Sequence, residues 1–137
     1  MSDVFKYVDL SEVELRSPKV VMVLKPWIDV GRVGTKVIRF LRDALGAEIL
    51  GTMINPSAFY DYTIYRPRTY FLDGKRIFRQ PQTRLYYAKR PEKEHDLILM
   101  EMLEPHINSE EFIDAITELA DKFDISEYTM IGGMYDM

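Results

Sequence analysis

The sequence predicts an α/β fold, and the main support is one strand–loop–helix unit near the start of the chain. The apolar run Val20–Leu24 is typical of a strand that is buried on both faces. A loop containing Gly31 and Gly34 follows it. Apolar residues then recur at helical spacing as far as Leu45, and Gly46 stands where a helix usually ends. In sheets built from such units, ligands bind at the carboxyl ends of the strands.

The remaining elements complete a second unit and insert a hairpin between the two. Asp73-Gly74 is suited to a two-residue type I′ turn, which predicts a β-hairpin over residues 68–78. A second helix is predicted to begin near Asn108 or Ser109, both of which are good N-caps. Further strands are predicted at Ala47–Ile54, Leu85–Ala88, Asp96–Met102 and Tyr128–Ile131. The two strand–helix–strand units predict a mainly parallel sheet.

The domain organisation follows from what such a sheet needs. Residues 1–17 are predicted to form a leader that packs on the edge of an α/β domain spanning residues 18–137, with Phe5 and Tyr7 among its anchors. Parallel strands need cover on both faces, yet only two good helices are predicted. The chain also stops soon after Gly132-Gly133, where a crossover helix normally begins. We therefore expect that the domain lacks its C-terminal part, or that another chain covers its open face.

Composition narrows the class of protein. The chain has 137 residues and no cysteine, so disulfides and thiol chemistry are excluded. Its start has no signal-peptide pattern, and its apolar runs are far shorter than the roughly 18 residues that cross a bilayer. These features predict a cytoplasmic protein without a membrane partner. The two histidines, His95 and His106, do not have the spacing of a metal site, so neither a metal nor a cofactor is predicted.

Charge is divided unevenly along the chain. Residues 1–90 carry 16 Lys and Arg against 9 Asp and Glu, whereas residues 91–137 carry 2 against 13. The first interpretation is a solvated basic face and a solvated acidic helix. The second is that the two halves attract each other between protomers, which would favour a homo-oligomer.

Four segments together resemble the proteasome assembly chaperone 2 family, from about residue 15 to the end of the chain. Leu103 and Ser109-Glu110 depart from the family pattern, which commonly has glycine before the Glu-Pro pair and tryptophan at the start of the next helix. The matching segments are Trp27-Ile28-Asp29-Val30-Gly31 with Gly34, Phe59-Tyr60-Asp61-Tyr62 with Tyr65-Arg66-Pro67, Glu104-Pro105 with Phe112, and Ile131-Gly132-Gly133.

The resemblance implies a fold and a kind of role. The fold would be a three-layer α/β/α sandwich related to the nucleoside phosphorylases, of which this chain would be the N-terminal portion. The role would be self-association without established catalysis. Because eukaryotic members help to assemble the proteasome, proteasome subunits are possible partners. No catalytic residue is implied.

Carboxylates near predicted strand ends provide the alternative to a scaffold. Asp29, Asp61, Glu101 and Glu104 are expected to converge at one edge of the sheet, where they could perform acid–base chemistry or bind a hard cation. In the structural interpretation, Asp61 pairs with Arg66 or Arg68 and Glu104 caps backbone donors. The glycine loop has three interpretations: a structural turn, an anion cradle at a helix start, or a site for a polar ligand without phosphate.

Arginines and tyrosines alternate from Tyr62 to Arg90, and this composition fits three kinds of surface. It is found in protein interfaces, in solvated faces and in platforms for single-stranded nucleic acid. The net charge of −4 disfavours nucleic acid.

The favoured hypothesis is a non-enzymatic, self-assembling scaffold or assembly factor. Arg66 would hold the aromatic segment through Asp61, and the packing or interface anchors would be Trp27, Phe59, Tyr60 and Tyr62. The alternative is a nucleoside-like ligand or a hydrolytic reaction handled by Asp29, Asp61 and Glu104.

Overall fold

The computed structural model describes residues 3–136, which form eight β-strands and two α-helices. A short 3-10 turn over Val30–Arg32 precedes the first helix. The strands are β1 (Phe5–Tyr7), β2 (Lys19–Lys25), β3 (Glu48–Met53), β4 (Arg68–Leu72), β5 (Lys75–Arg79), β6 (Arg84–Ala88), β7 (Leu97–Leu103) and β8 (Glu127–Met130), and the helices are α1 (Val33–Leu45) and α2 (Ser109–Lys122).

Six of these strands form one mixed sheet, in the order β1-β3-β6-β7-β2-β8. β2 pairs in parallel with both β7 and β8. The pairings β1–β3, β3–β6 and β6–β7 are antiparallel. The prediction of an α/β fold is confirmed, but the mainly parallel sheet is corrected to a mixed one.

The reason for the correction lies in the connection between β6 and β7. Only residues 89–96 join these strands, and no helix lies among them. A parallel neighbour needs a crossover of about a dozen residues or more, whereas an antiparallel neighbour needs only a short turn. β6 therefore runs against β7, while β2, β3, β7 and β8 share one direction. The two predicted units keep their direction, but their strands are not adjacent: β7 and β6 lie between β2 and β3, and β2 lies between β7 and β8.

The two helices bury their apolar residues in different parts of the core. Val20 and Met22 of β2 belong to a cluster with Phe112 and Leu119 of α2. Val23, which follows Met22 and points to the opposite face of the sheet, belongs to a second cluster with Ile38 of α1. This follows from the alternation of side chains along a strand.

The predicted hairpin is present as a separate two-stranded sheet of β4 and β5. Leu72 pairs with Lys75, which leaves Asp73 and Gly74 as a two-residue turn. Both turn residues have positive φ, 51° and 75°, as a type I′ turn requires. The turn chemistry in the sequence was sufficient to locate this element.

At the other edge, β1 pairs with β3 and brings part of the predicted leader into the sheet. Val4 and Phe5 are buried there, and Tyr7 is partly buried. The sequence did not predict this strand, because three residues show too little alternation. Among the residues that the structure describes, neither helix is long and apolar enough for a bilayer crossing.

Candidate functional site

The glycine loop after β2 is closed by a buried carboxylate. Oδ1 of Asp29 accepts hydrogen bonds from the backbone N–H groups of Gly34 (2.7 Å) and Thr35 (3.2 Å), and Oδ2 accepts one from the Thr35 hydroxyl. Asp29 is 8% exposed and Thr35 is buried. The carboxylate thus caps the first turn of α1, as the structural interpretation of the loop expects.

Glycines 34, 132 and 133 are close-packing positions that bring the first and last family segments together. Gly133 donates its N–H to Ile28 O (2.6 Å) and accepts from the N–H of Val30 (3.1 Å). A Cβ on Gly34 would lie 2.7 Å from the carbonyl oxygen of Ile131, and one on Gly132 would lie 2.8 Å from that of Ile28. Neither carbonyl can move without moving the backbone.

Gly31 has a different role from these three. A Cβ there would meet nothing within 4 Å, but its φ of +66° favours glycine. It therefore shapes the turn before α1 and does not allow a close approach.

Phe59 and Tyr60, two of the predicted anchors, lie in the core. The ring of Phe59 contacts that of Phe112, with centroids 6.0 Å apart. The Tyr60 hydroxyl donates to Leu103 O (2.7 Å), and burial raises the pKa of this tyrosine. Of the two options for these residues, the structure places them in packing and not on an exposed interface.

Trp27 and Tyr62, the other two predicted anchors, reach the surface to different degrees. Trp27 is 73% exposed. Tyr62 is half-buried, and its hydroxyl donates to Gln80 Oε1 at 3.3 Å. Of the four predicted anchors, only Trp27 has a largely exposed ring.

Asp61 does not pair with an arginine. It is exposed, and its Oδ1 accepts hydrogen bonds from the N–H (2.8 Å) and hydroxyl (2.6 Å) of Thr63, which lower the pKa of the carboxyl. The ion pairs of residues 3–136 include none between Asp61 and Arg66 or Arg68. The expected Asp61–Arg66 link is therefore corrected: a partner two residues away satisfies the carboxylate first.

The strand-end carboxylates do not gather into a metal-binding group. Asp29 is engaged in the first turn of α1, and Glu104 is exposed, with its backbone N–H donated to Lys25 O at 2.8 Å. No hydrogen bond from a backbone donor to the Glu104 side chain is present among residues 3–136. Within the same range, no three Asp, Glu or His side chains lie close enough together to hold a metal ion.

This edge of the sheet holds a basic cleft, which we define by its cationic lining. It has a volume of about 620 Å³ and lies where β2 and β7 end, beside the base of the hairpin. None of its lining residues that the structure describes is acidic. The cations are Lys25, Arg32, Arg39, Arg66, Arg68, Arg79 and Arg84.

Glu101 of β7 is the counter-charge beneath this cleft. Its Oε1 accepts from Arg39 Nε at 3.0 Å and its Oε2 from Lys25 Nζ at 3.5 Å, while Glu101 itself is 1% exposed. Burial alone would raise the pKa of Glu101, but Lys25, Arg39 and Arg84 outweigh burial and lower it. Sequence reasoning named Glu101 as a strand-end carboxylate but missed its partners, which lie 62 to 76 residues away.

The model of the PAC2 family matches residues 23–137. The chain belongs to the PAC2 family. The family resemblance inferred from the four segments is thereby confirmed, and no curated protein matches the sequence.

Solved structures share this PAC2 fold. A PAC2 family protein from Streptomyces avermitilis superposes with a TM-score of 0.79 at 22% identity, over 87% of this chain and 51% of that one. A proteasome-assembly chaperone homologue from Mycobacterium tuberculosis gives 0.75 at 25% identity, over 84% and 49%. A Corynebacterium glutamicum protein of unknown function gives 0.77 at 16% identity, over 93% and 49%. The chain spans about half the length of each of these proteins.

Residues of the four PAC2-like segments therefore contact one another and stabilise the fold. The first and last segments meet at Asp29 and the glycines, and the second packs Phe59 against Phe112, which belongs to the third. These contacts account for Asp29, Phe59 and Gly34, Gly132 and Gly133 among the predicted site residues. The basic cleft draws only Arg66 from that set.

Proposed function

We propose that this chain is a non-enzymatic, self-assembling scaffold or assembly factor of the PAC2 family. The chaperone homologue from Mycobacterium tuberculosis supports an assembly role at the level of the family. Proteasome subunits are the protein partners that this likeness suggests, and the cytoplasm is the proposed location. The proposal includes a three-layer α/β/α domain over residues 18–137, with residues 1–17 as a leader on its edge.

The outer face of the hairpin carries this proposal. In the register of β4 and β5, Thr69 and Phe71 point to one face together with Arg76 and Phe78. Phe71 is 75% exposed and Phe78 is 59% exposed. An isolated two-stranded hairpin is at best marginally stable in water. A second copy of this chain packed on that face would bury both rings.

The edge strand β8 supports the same conclusion. All four of its residues are exposed, including Tyr128 and Met130. Beyond it, Met134 and Tyr135 are 82% and 81% exposed. A last strand with apolar side chains and an unpaired edge is a template for further protein.

The test is the molar mass in solution. We expect light scattering at 10–100 µM protein to give an oligomer at both low and high salt, because apolar contacts are not screened by salt. The double variant Phe71→Ser/Phe78→Ser should be monomeric. Phe40→Ser is the matched control, since Phe40 is 69% exposed and lies on α1, outside the hairpin, and the variant should leave the mass unchanged. A wild-type monomer at both salt concentrations would refute self-assembly.

The second candidate, hydrolysis or nucleoside binding by Asp29, Asp61 and Glu104, has weaker support. Asp29 is occupied by three donors and Asp61 by Thr63. A thermal-shift screen with nucleosides and divalent cations tests this candidate, which predicts stabilisation that Asp61→Asn abolishes.

A further inference from the structure

The inner face of the hairpin is as distinctive as its outer face. Arg68, Tyr70 and Arg79 alternate with the outward residues and line the basic cleft. Arg68 and Arg79 are direct cross-strand partners. Two like charges at such positions repel each other and weaken the pairing. A negatively charged group between the two guanidinium groups would relieve this repulsion.

Arg84 is a further cation in the lining of the cleft. Arg84, at the start of β6, is half-buried and directly opposite Glu101 of β7. Burial and the nearby Arg79 lower the pKa of Arg84, and burial lowers that of Lys25. In both cases burial, together with neighbouring cations, outweighs the attraction of Glu101, so the single carboxylate does not offset the cost of burying these charges.

Protein carboxylates do not supply that charge. Glu101 is already bonded to Arg39 and Lys25. In the part of the chain that the structure describes, Arg66, Arg68, Arg79 and Arg84 form no ion pair. Seven cations and one buried carboxylate therefore leave the cleft with a large positive excess.

We propose that the basic cleft binds a small molecule carrying two or more linked phosphate groups. Six of the seven cations are arginines, whose guanidinium groups can each donate two parallel N–H bonds to a phosphate. The volume of about 620 Å³ lies within the range of small-molecule sites. The position, at the carboxyl ends of parallel strands, is where α/β sheets bind ligands.

Tyr65 and Tyr70 could distinguish two kinds of compound that carry linked phosphate groups. Both line the cleft, and Tyr70 is 41% exposed. A free inorganic oligophosphate would use the arginines alone, whereas a nucleoside triphosphate could also stack its base on a tyrosine ring. The shared element in either case is the phosphate chain.

The test is calorimetric titration of the full chain with inorganic tripolyphosphate at 50 mM salt, with adenosine triphosphate as a second arm. We expect saturable binding that weakens as salt is raised. The double variant Arg68→Gln/Arg79→Gln should weaken binding by about tenfold or more, since it removes two charge-assisted contacts. Its melting temperature without anion should not fall, because the variant also relieves a repulsion.

Arg76→Gln provides the matched control. It removes one positive charge from the same hairpin but from the outer face, so the affinity should stay at the wild-type value. If Arg76→Gln weakened binding as much per charge removed as Arg68→Gln/Arg79→Gln does, the proposal would be overturned, because that would indicate diffuse charge attraction. Absence of saturable binding at 1 mM of either compound would overturn it too. So would binding of a single-stranded oligonucleotide without binding of either compound, which would favour a nucleic-acid surface.

This inference is independent of self-assembly. The ligand would lie against the inner face of the hairpin, and the proposed protein contact lies on the outer face. Phe71→Ser/Phe78→Ser tests only self-assembly, and Arg68→Gln/Arg79→Gln tests only ligand binding.

Discussion

Replacing Asp29 by alanine should destabilise the protein far more than an ordinary loop substitution. The change removes an acceptor from two backbone N–H groups and one hydroxyl, all of them in buried residues. Asp29 accepts from the same first-turn N–H groups as an N-cap side chain does, although the N-cap residue itself is Arg32, and loss of such a cap to alanine costs about 0.5–2 kcal/mol. Leaving a buried donor without a partner adds about 1–3 kcal/mol. The free energy of unfolding should therefore fall by about 3 kcal/mol, out of the roughly 5–15 kcal/mol of a typical domain.

Asp29→Asn and Asp61→Ala separate the contributions to that loss. Asparagine keeps one acceptor oxygen for the N–H groups of Gly34 and Thr35, so Asp29→Asn should cost about 1 kcal/mol. Asp61→Ala makes the same substitution as Asp29→Ala, but in an exposed turn, and should leave the urea midpoint almost unchanged.

Urea unfolding followed by far-ultraviolet circular dichroism gives the change in the free energy of unfolding for all three variants. The comparison requires that the dependence of this free energy on urea concentration be the same for each variant. If Asp29→Ala unfolded at the wild-type midpoint, the carboxylate would not be a structural cap, and its place at the strand end would again argue for a ligand.

Three further predictions concern other parts of the fold. Gly132→Ala would place a Cβ 2.8 Å from the carbonyl oxygen of Ile28, so it should cost about 1–3 kcal/mol in urea unfolding; a wild-type midpoint would contradict the close packing. The pKa of Asp96 is lowered from 3.8 to about 2, because hydrogen bonds from Arg16 and Arg90 outweigh its burial. Its stabilising effect is therefore present above about pH 4 and lost as the pH falls through 2, and Asp96→Asn should flatten an acid titration of stability in that window. Tyr60→Phe removes the hydroxyl that donates to the backbone and should cost about 1 kcal/mol; no loss would mean that water replaces the bond.

Local sequence signals predicted those elements whose structure depends on near neighbours. Asp73-Gly74 fixed the hairpin because only positive φ at both positions closes that turn. The helix ending before Gly46 was predictable from its apolar period and from the left-handed conformation that glycine adopts after it. In both cases the deciding interaction lies within a few residues.

The strand order was not predictable in the same way. The run Leu97–Leu103 is buried along almost its full length, which the sequence indicated, but burial on both faces does not identify the neighbours. β6 lies between β3 and β7 because of a short connection, not because of its composition. The length of the segment from Lys89 to Asp96 was the available signal, and it excluded a crossover.

The same distinction explains which site residues were found. Asp29, Gly34 and the glycine pair at 132–133 were predicted as a ligand or interface set, whereas they pack against one another. The basic cleft was missed as a unit because its cations come from β2, α1, the hairpin and β6. These cations are spread along the sequence, and only the folded chain brings them together in one cleft.

The basic and acidic parts of the chain form ion pairs with each other within the folded structure. Each of the four ion pairs among residues 3–136 joins a cation from the first 90 residues to a carboxylate beyond residue 90, as in Arg16–Asp96 and Lys19–Glu127. Part of the attraction that the sequence suggested between protomers is thus used within one chain. Contacts between copies should then depend on the apolar hairpin face, and the arginines of the cleft are left for a ligand. This division predicts that 500 mM salt abolishes oligophosphate binding while the molar mass of the oligomer is unchanged.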